Sequence, residues 1–210
     1  PGAIGTGLFF WKFNAKVPTP DYDPPANQTE ARLQDLDYLL NLTTVDRSFS
    51  DAEAEEFAAY VTDLQNDSET MTDAEFSMAI ARAAAISENG HTNLYRSDML
   101  KGLTSLPVRF FWFGDGLRLI RTRHEFEHLL GARVISYDGQ NPDDLVAELD
   151  PYFGGNEAFL RFNTPTFLAS PDAMHAVGLA VSPDKITLIL RLPDGTEETI
   201  DLPVETEATP

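Results

Sequence analysis

The chain has 210 residues, which is long enough to bury a substantial core, and its 42% hydrophobic content with 14 Phe predicts a globular fold. Its formal net charge of -19 comes from 34 acidic residues against 15 basic ones. Such a charge repels phosphate backbones, so we expect no nucleic-acid partner. The sequence contains no Cys, which excludes disulfides, thiolate metal sites and cysteine nucleophiles.

The first 28 residues consist of an apolar segment followed by a proline-rich stretch. Residues 2–13 are almost entirely apolar, and two interpretations stay open for them. They are the outer end of a membrane anchor or signal, or a terminal strand packed on the core. Residues 14–27 contain four prolines, which disfavour helix, so we predict an extended linker there.

Residues 29–105 have the apolar spacing of amphipathic helices. The first helix starts at Thr29, the predicted N-cap. The second and third start at capping boxes in residues 50–53 and 72–75, where Ser or Thr precedes Glu by three positions. The third runs to a glycine stop near Gly90. Short connections between three such helices predict a three-helix bundle domain.

After residue 106 the apolar period changes to that of strands. An aromatic run and a branched run flank Gly114-Asp115-Gly116, which predicts a hairpin, and a second hairpin is predicted around Pro193-Asp194-Gly195. A strand at 132–137 and a helix capped by Asn141-Pro142 lie between them. Residues 156–178 are predicted to be helical pieces broken at Pro165 and Pro171. We therefore predict an α+β chain with a second domain at 106–204 and a linker at 205–210.

Two stretches of the chain resemble one known family. Asn89-Gly90-His91-Thr92 resembles the Asp-Gly-His-Thr signature of the tail-specific (C-terminal-processing), tricorn-like serine peptidases. The stretch from Gly131 to Pro142 resembles the strand and turn of that family's PDZ module. The resemblance implies that 29–105 is the family's helical N-terminal region. It also implies that 106–204 is a PDZ-like, partly open β-barrel or sandwich with short helices.

The resemblance gives His91 a role in catalysis. In that family a C-terminal domain supplies the serine nucleophile, and His91 lies at the position of the histidine of the tricorn-like branch. Histidine can act as a general base near neutral pH, which fits that role. Asn89 replaces the usual Asp, so no carboxylate is available there to orient the imidazole. The alternative is that His91 caps the free carbonyls of the preceding helix.

A PDZ-like unit binds an extended peptide as an added strand at an open sheet edge, beside an apolar pocket on a helix. By correspondence, the edge is the run from Val108 to Phe113, with Phe111 among the contact residues. The pocket residues would be Leu145 and Leu149 on the helix at 143–149. The alternative is that these side chains only fill the core.

Residues 124–128 match zinc peptidase patterns, because His124, Glu125 and His128 satisfy H-E-x-x-H. Zinc binding needs both histidines on one helical face and a third ligand, for which His175 is available. The resemblance places a connecting turn at this position instead. A zinc hydrolase is therefore the weakest of the alternatives, and our expectation is that the protein uses no metal or cofactor.

The resemblance implies that the chain is the front portion of a serine-type peptidase, which binds extended polypeptide and is completed by a C-terminal catalytic domain. By itself the chain should cleave nothing. The main alternative is a stand-alone peptide-binding or assembly module. The expected partners are a polypeptide substrate and that missing domain, with the membrane reached only through an N-terminal anchor. The resemblance and the apolar N-terminus favour an extracytoplasmic location, periplasmic or secreted.

Overall fold

The computed structural model describes residues 17–92 and 102–205, and the chain divides into two compact units, Pro1–Thr70 and Met71–Pro210. Seven α-helices and five strands form the described part, which confirms the α+β class. The predicted apolar segment at residues 2–13 lies outside the described residues, as do residues 206–210 of the predicted linker. Within the described ranges, no helix combines the length and the apolar character needed to cross a bilayer.

The first unit contains three helices, α1 (Gln28–Leu39), α2 (Leu42–Val45) and α3 (Asp51–Asp67). The predicted N-cap at Thr29 is wrong, because the Asn27 side-chain oxygen accepts the hydrogen bond from the Glu30 amide and starts α1 earlier. Asn is among the strongest N-cap residues, so it takes precedence. The capping box predicted at residues 50–53 is confirmed by both of its hydrogen bonds.

The proline-rich segment contains no helix or strand from residue 17 to residue 25, yet it lies along α1. The Tyr38 hydroxyl donates to the Pro18 carbonyl at 2.9 Å, and the Tyr22 hydroxyl donates to the Asp37 carboxylate at 2.6 Å. Chiefly through that hydrogen bond, Asp37 raises the pKa of Tyr22 to about 12. The segment is therefore tied to the helix by its polar groups.

An apolar stripe of α3 forms the core of the first unit. Phe57, Val61 and Leu64 of α3 are buried, and they lie with Leu36 of α1 in the core. Arg32 is also buried, and its guanidinium donates to the Ser68 carbonyl at 2.7 Å. The charge of Arg32 therefore enters the core with a hydrogen-bond partner, as buried charge requires.

The second unit contains four helices, α4 (Asp73–Ala85), α5 (Pro142–Glu148), α6 (Glu157–Leu168) and α7 (Pro171–Ala176). The capping box predicted for α4 is present. Helix α4 packs against α7 and against the short 3-10 turn Asp150–Tyr152. The region predicted as one three-helix bundle therefore falls in two compact units, and its domain boundary near residue 105 stays a prediction.

Helix α6 differs from the sequence-based prediction, because it continues through Pro165 where a break was predicted. A proline inside a helix removes one backbone hydrogen bond, and burial compensates that loss here. Pro165 itself is buried, together with Phe167 and Leu168. The second predicted break is correct, since Pro171 occupies the first turn of α7.

The five strands form one antiparallel sheet in which spatial order follows chain order. They are β1 (Val108–Phe113), β2 (Gly116–Thr122), β3 (Arg133–Tyr137), β4 (Lys185–Arg191) and β5 (Glu197–Pro203). Both predicted hairpins are present, as β1–β2 and β4–β5. The two edges of the sheet are therefore β1 and β5.

One face of the sheet and the helices of the second unit enclose its core. Buried side chains alternate with exposed ones along β1 and along β4, as expected for strands with one buried face. Tyr137 is fully buried, and its hydroxyl donates to the Leu168 carbonyl at 3.0 Å. Burial raises its pKa well above the ordinary value. Tyr137 thus links β3 to the end of α6.

Candidate functional site

The His91 loop, residues 87–92, follows directly after α4. The helix ends at Ala85, and the left-handed residue that redirects the chain is Glu88, with φ of 49°. The prediction that Gly90 ends this helix is therefore wrong. Gly90 instead allows close packing, since a Cβ at this position would lie 3.3 Å from the Phe159 ring.

Asn89 organises the backbone around His91. Its side-chain oxygen accepts a hydrogen bond from the His91 amide at 3.1 Å, and its side-chain nitrogen donates to the Thr92 hydroxyl at 3.3 Å. The Thr92 amide closes the turn on the Asn89 carbonyl at 2.8 Å. An Asp at this position could accept the same bond from the His91 amide. The Asn therefore retains a role in positioning the backbone, although it contacts the amide and not the imidazole.

The His91 side chain is exposed. Within residues 17–92 and 102–205, no hydrogen bond to its ring is present. The ring is therefore accessible to a further group.

Two consecutive glycines, Gly154 and Gly155, pack against the His91 loop. Gly154 and Gly155 have φ of 58° and 92°, and the Gly155 amide donates to the Glu88 carbonyl at 3.1 Å. A Cβ on Gly155 would lie only 3.2 Å from the Cα of Gly90. Sequence analysis did not connect these residues with His91, although the Gly-Gly pair signalled an unusual backbone.

Strand β1 is the outermost strand of the sheet, and it pairs with β2. Two of the predicted peptide-contacting residues, Phe111 and Phe113, are 42% and 49% exposed, and their ring centroids lie 5.1 Å apart. Val108, by contrast, is buried. The structure therefore brings an aromatic pair to an outer strand.

The helix next to β1 is α6 and not the predicted helix at 143–149. The Trp112 indole N–H donates to the Thr164 hydroxyl at 3.2 Å, and the Arg161 guanidinium lies 4.8 Å from the centroid of the Trp112 ring. By contrast, α5 packs against β3, and both Leu145 and Leu149 have no exposed surface. These two leucines are core residues in this conformation, and their predicted role in peptide binding stays untested.

A cavity of about 350 Å³ opens between the start of β2, strand β3 and the start of α5. Arg133 lines it, and its buried Nε has no hydrogen-bond partner among the described residues. Gly116 makes room for this side chain, because a Cβ there would lie 2.8 Å from that Nε. The carboxylate of Asp143 also lines the cavity and pairs with Arg161 at 2.9 Å.

The zinc pattern at residues 124–128 does not form the required α-helix. His124–Leu129 is a 3-10 helix with non-helical geometry at Phe126. With three residues per turn, positions four apart do not share a face, so His124 and His128 point in different directions. Each imidazole lies near a glutamate, Glu127 and Glu198 respectively. The described residues contain no group of three or more side chains placed to hold a metal ion.

No profile of a known protein family matches the chain, and no curated protein matches it in sequence. Solved structures do share its fold. A photosystem II D1 C-terminal processing protease aligns with 87% of this chain and 45% of its own, at 13% identity. Its TM-score of 0.29 is too low to support an argument.

The structures with useful alignments are those of CPAF. Mature CPAF matches with a TM-score of 0.55 at 19% identity, and mature CPAF complexed with lactacystin matches with 0.55 at 18%. A single-residue mutant of CPAF matches with 0.53 at 18%. Each alignment covers 84% of this chain but only 34% or 35% of the other. The comparison therefore shows a shared fold over one part of a longer protein.

Proposed function

We propose that this chain is the helical N-terminal and PDZ-like portion of a serine-type peptidase of the tail-specific, tricorn-like family. The observation that carries the proposal is the shared fold with CPAF over 84% of the chain. The order of features supports it as well. An exposed histidine follows a capped helix, and a five-stranded sheet with an aromatic outer strand comes next.

In this proposal β1 binds an extended polypeptide as an additional strand. Backbone hydrogen bonds to an open edge supply affinity, and alternate side chains supply specificity. The exposure of Phe111 and Phe113 on β1 supports this role. Helix α6, which contacts β1 through Thr164 and Trp112, takes the place of the predicted helix as its neighbour.

His91 is the proposed general base of the intact protein. It would take the proton of a serine hydroxyl from a C-terminal domain while the serine oxygen attacks the peptide carbonyl. The same proton would then pass to the leaving amine as the acyl-enzyme forms. Asn89 would fix the backbone of His91, and Gly154 and Gly155 would support the loop. The chain alone would bind polypeptide without cleaving it.

The remaining expectations on partners and location are part of the same proposal. The partners are polypeptide substrates and the C-terminal catalytic domain of the same protein. Nucleic acid is not a partner, given the net charge of -19. The protein would work outside the cytoplasm, and an N-terminal anchor would be its only link to a membrane.

The decisive experiment uses the intact protein isolated from its source cells with an antibody against this chain. The expected band is well above 23.3 kDa, and the protein should react with a serine-directed fluorophosphonate probe. His91→Ala in the intact protein should lower peptidase activity by about 10²–10⁴-fold. His124→Ala is the matched control, because its side chain is 95% exposed. Equal activity of both variants and wild type would exclude His91 as the base.

The second candidate is a stand-alone peptide-binding or assembly module. The outer strand β1 favours it, because the aromatic edge is complete within the described residues of the second unit. This candidate predicts a native band near 23.3 kDa and no reaction with the serine probe. It also predicts that His91→Ala leaves every function intact. Peptide binding alone is common to both candidates and does not separate them.

A further inference from the structure

Two arginines lie directly opposite each other on the β1–β2 hairpin. Arg109 of β1 is the register partner of Arg121 of β2, and both side chains are exposed. Like charges at opposite positions destabilise an antiparallel pair. The pair is therefore a local cost to the sheet, and it calls for an explanation.

The two arginines also lack acidic partners. Neither forms an ion pair with another described residue, although the sequence contains 34 acidic residues against 15 basic ones. Other surface arginines of the same unit do pair with carboxylates, namely Arg118, Arg161 and Arg191. Arg109 and Arg121 are therefore two adjacent cations on an acidic protein, without an ion-paired carboxylate among the described residues.

This site continues into the aromatic pair of β1. Side chains alternate along a strand, so Arg109, Phe111 and Phe113 project from the same face of β1, and all three are exposed. Residues of a strand added beside β1 would lie about 4.5–5.5 Å from these side chains, measured between Cβ atoms. Every second residue of the bound segment would therefore face the arginine or one of the two phenylalanines.

We propose that the polypeptide segment bound by β1 carries a carboxylate beside Arg109 and apolar side chains beside Phe111 and Phe113. This inference rests on the proposed function and specifies its substrate class. All neighbouring strands are antiparallel, and antiparallel pairing is the more stable arrangement, so the segment runs opposite to β1. Its sequence is then apolar, any residue, apolar, any residue, acidic. Arg121 reinforces the field at the acidic position.

The test measures binding of fluorescent ten-residue peptides to the purified chain by anisotropy. The acidic peptide has the core Val-Thr-Val-Thr-Glu, its neutral analogue ends the core in Gln, and its reversed analogue reads Glu-Thr-Val-Thr-Val. We expect the acidic peptide to bind about fivefold tighter than the neutral one at low salt. The advantage should disappear in about 1 M NaCl, where charges are screened within a few ångströms.

Variants assign this advantage to the two arginines. The double variant Arg109→Gln/Arg121→Gln should bind both peptides with the affinity that wild type has for the neutral one. Arg191→Gln is the matched control, because it removes an exposed arginine of the same sheet that is paired with Glu197. The control should retain the full preference for the acidic peptide.

The outcomes separate this inference from the function on which it rests. If neither peptide binds, the proposed peptide capture by β1 fails. If the acidic and neutral peptides bind equally well, capture stands and the carboxylate preference is overturned. Tighter binding of the reversed peptide would overturn the antiparallel order. Displacement of the acidic peptide by a single-stranded oligonucleotide would overturn the assignment of the cationic site to polypeptide.

Discussion

The two edges of the sheet in the second unit differ in their chemistry. Strand β5 exposes Glu197 and Asp201 and ends in an exposed proline, Pro203. The Glu197 carboxylate pairs with Arg191 of β4 at 2.7 Å, and the Asp201 carboxylate pairs with Lys185 of β4 at 2.5 Å. Strand β1 has no acidic residue and no proline, and it exposes two phenylalanines and Arg109, which forms no ion pair with the part of the chain that the structure describes.

Proteins normally protect edge strands from pairing with other chains by means of charges and prolines. Strand β5 has both of these devices, whereas β1 has one exposed charge, Arg109, and no proline. An aromatic edge of six residues is an aggregation hazard unless it has a regular partner. The polypeptide that we propose to bind at β1 would be such a partner, and β5 has no need of one.

The first prediction, which has the largest expected effect, concerns Leu145 of α5. It asks whether α5 belongs to the peptide-binding surface at β1. Leu145→Ala should lower the free energy of unfolding by about 2–5 kcal/mol, because it leaves a cavity at a fully buried position. Chemical denaturation measures this loss. The affinity of the folded variant for the acidic peptide should equal that of wild type.

Leu202→Ala in β5 is the matched control for Leu145, since Leu202 is also fully buried. Both variants should be destabilised to a similar extent and bind peptide normally. If Leu145→Ala alone weakens peptide binding tenfold while remaining stable, α5 forms part of the peptide groove. The groove would then extend beyond β1 and α6.

The second prediction removes the aromatic surface of β1. Phe111→Thr/Phe113→Thr keeps residues suited to strands but deletes both rings. If a bound peptide covers these rings, their loss should cost about 1.5–3 kcal/mol of binding free energy, or roughly ten- to hundredfold in Kd. Anisotropy with the acidic peptide measures the change.

The control for the aromatic pair is Thr199→Ala, an exposed position on the opposite edge. Its peptide affinity should not change, and both proteins should unfold at similar temperatures because surface substitutions have small effects on stability. Equal weakening of binding by both variants would mean that the peptide does not distinguish the two edges. The contrast between β1 and β5 would then have no bearing on function.

Much of the fold could be predicted because local signals agree with the final structure. The capping boxes at residues 50–53 and 72–75 start their helices as predicted, and both hairpins form around their glycine-containing turns. The error at Pro165 has a different origin. Proline normally ends a helix, and only burial in the assembled core retains this helix through it, which a local pattern does not contain.

The candidate site was less predictable, because its parts are far apart in sequence. The motif at residues 89–92 identified His91 as a candidate. The turn at Gly154 and Gly155, however, contacts the His91 loop only in the folded unit. In the same way, the helix beside β1 is α6 and not the predicted α5. An apolar pattern in the sequence does not show which of the two helices lies next to β1. Helical spacing identifies a buried face, but tertiary packing decides what that face meets.

The smallest predicted effect concerns the pH dependence of the β5 edge. Asp201 accepts hydrogen bonds from Lys185 at 2.5 Å and Thr187 at 2.7 Å, and these bonds lower its pKa below the ordinary value of 3.8, with Lys185 as the main cause. A carboxyl with a lowered pKa in the folded state stabilises the protein above about pH 3.8. This stabilisation is lost as the pH falls through the folded-state pKa.

Asp201→Asn should therefore unfold at a slightly lower temperature than wild type at pH 7, and the difference should shrink as the pH falls through the folded-state pKa of Asp201. Thermal unfolding followed by circular dichroism measures both midpoints, and Thr199→Ala serves as the variant without a titrating group. A constant offset at every pH would show that the carboxylate charge has no part in stabilising β5.

Acid removes the negative charge of β5 but leaves Arg109 of β1 charged. Low pH should thus weaken the protection of β5 against pairing with other chains, because that protection depends on carboxylates. The edge at β1 has no carboxylates, so its charge should not change.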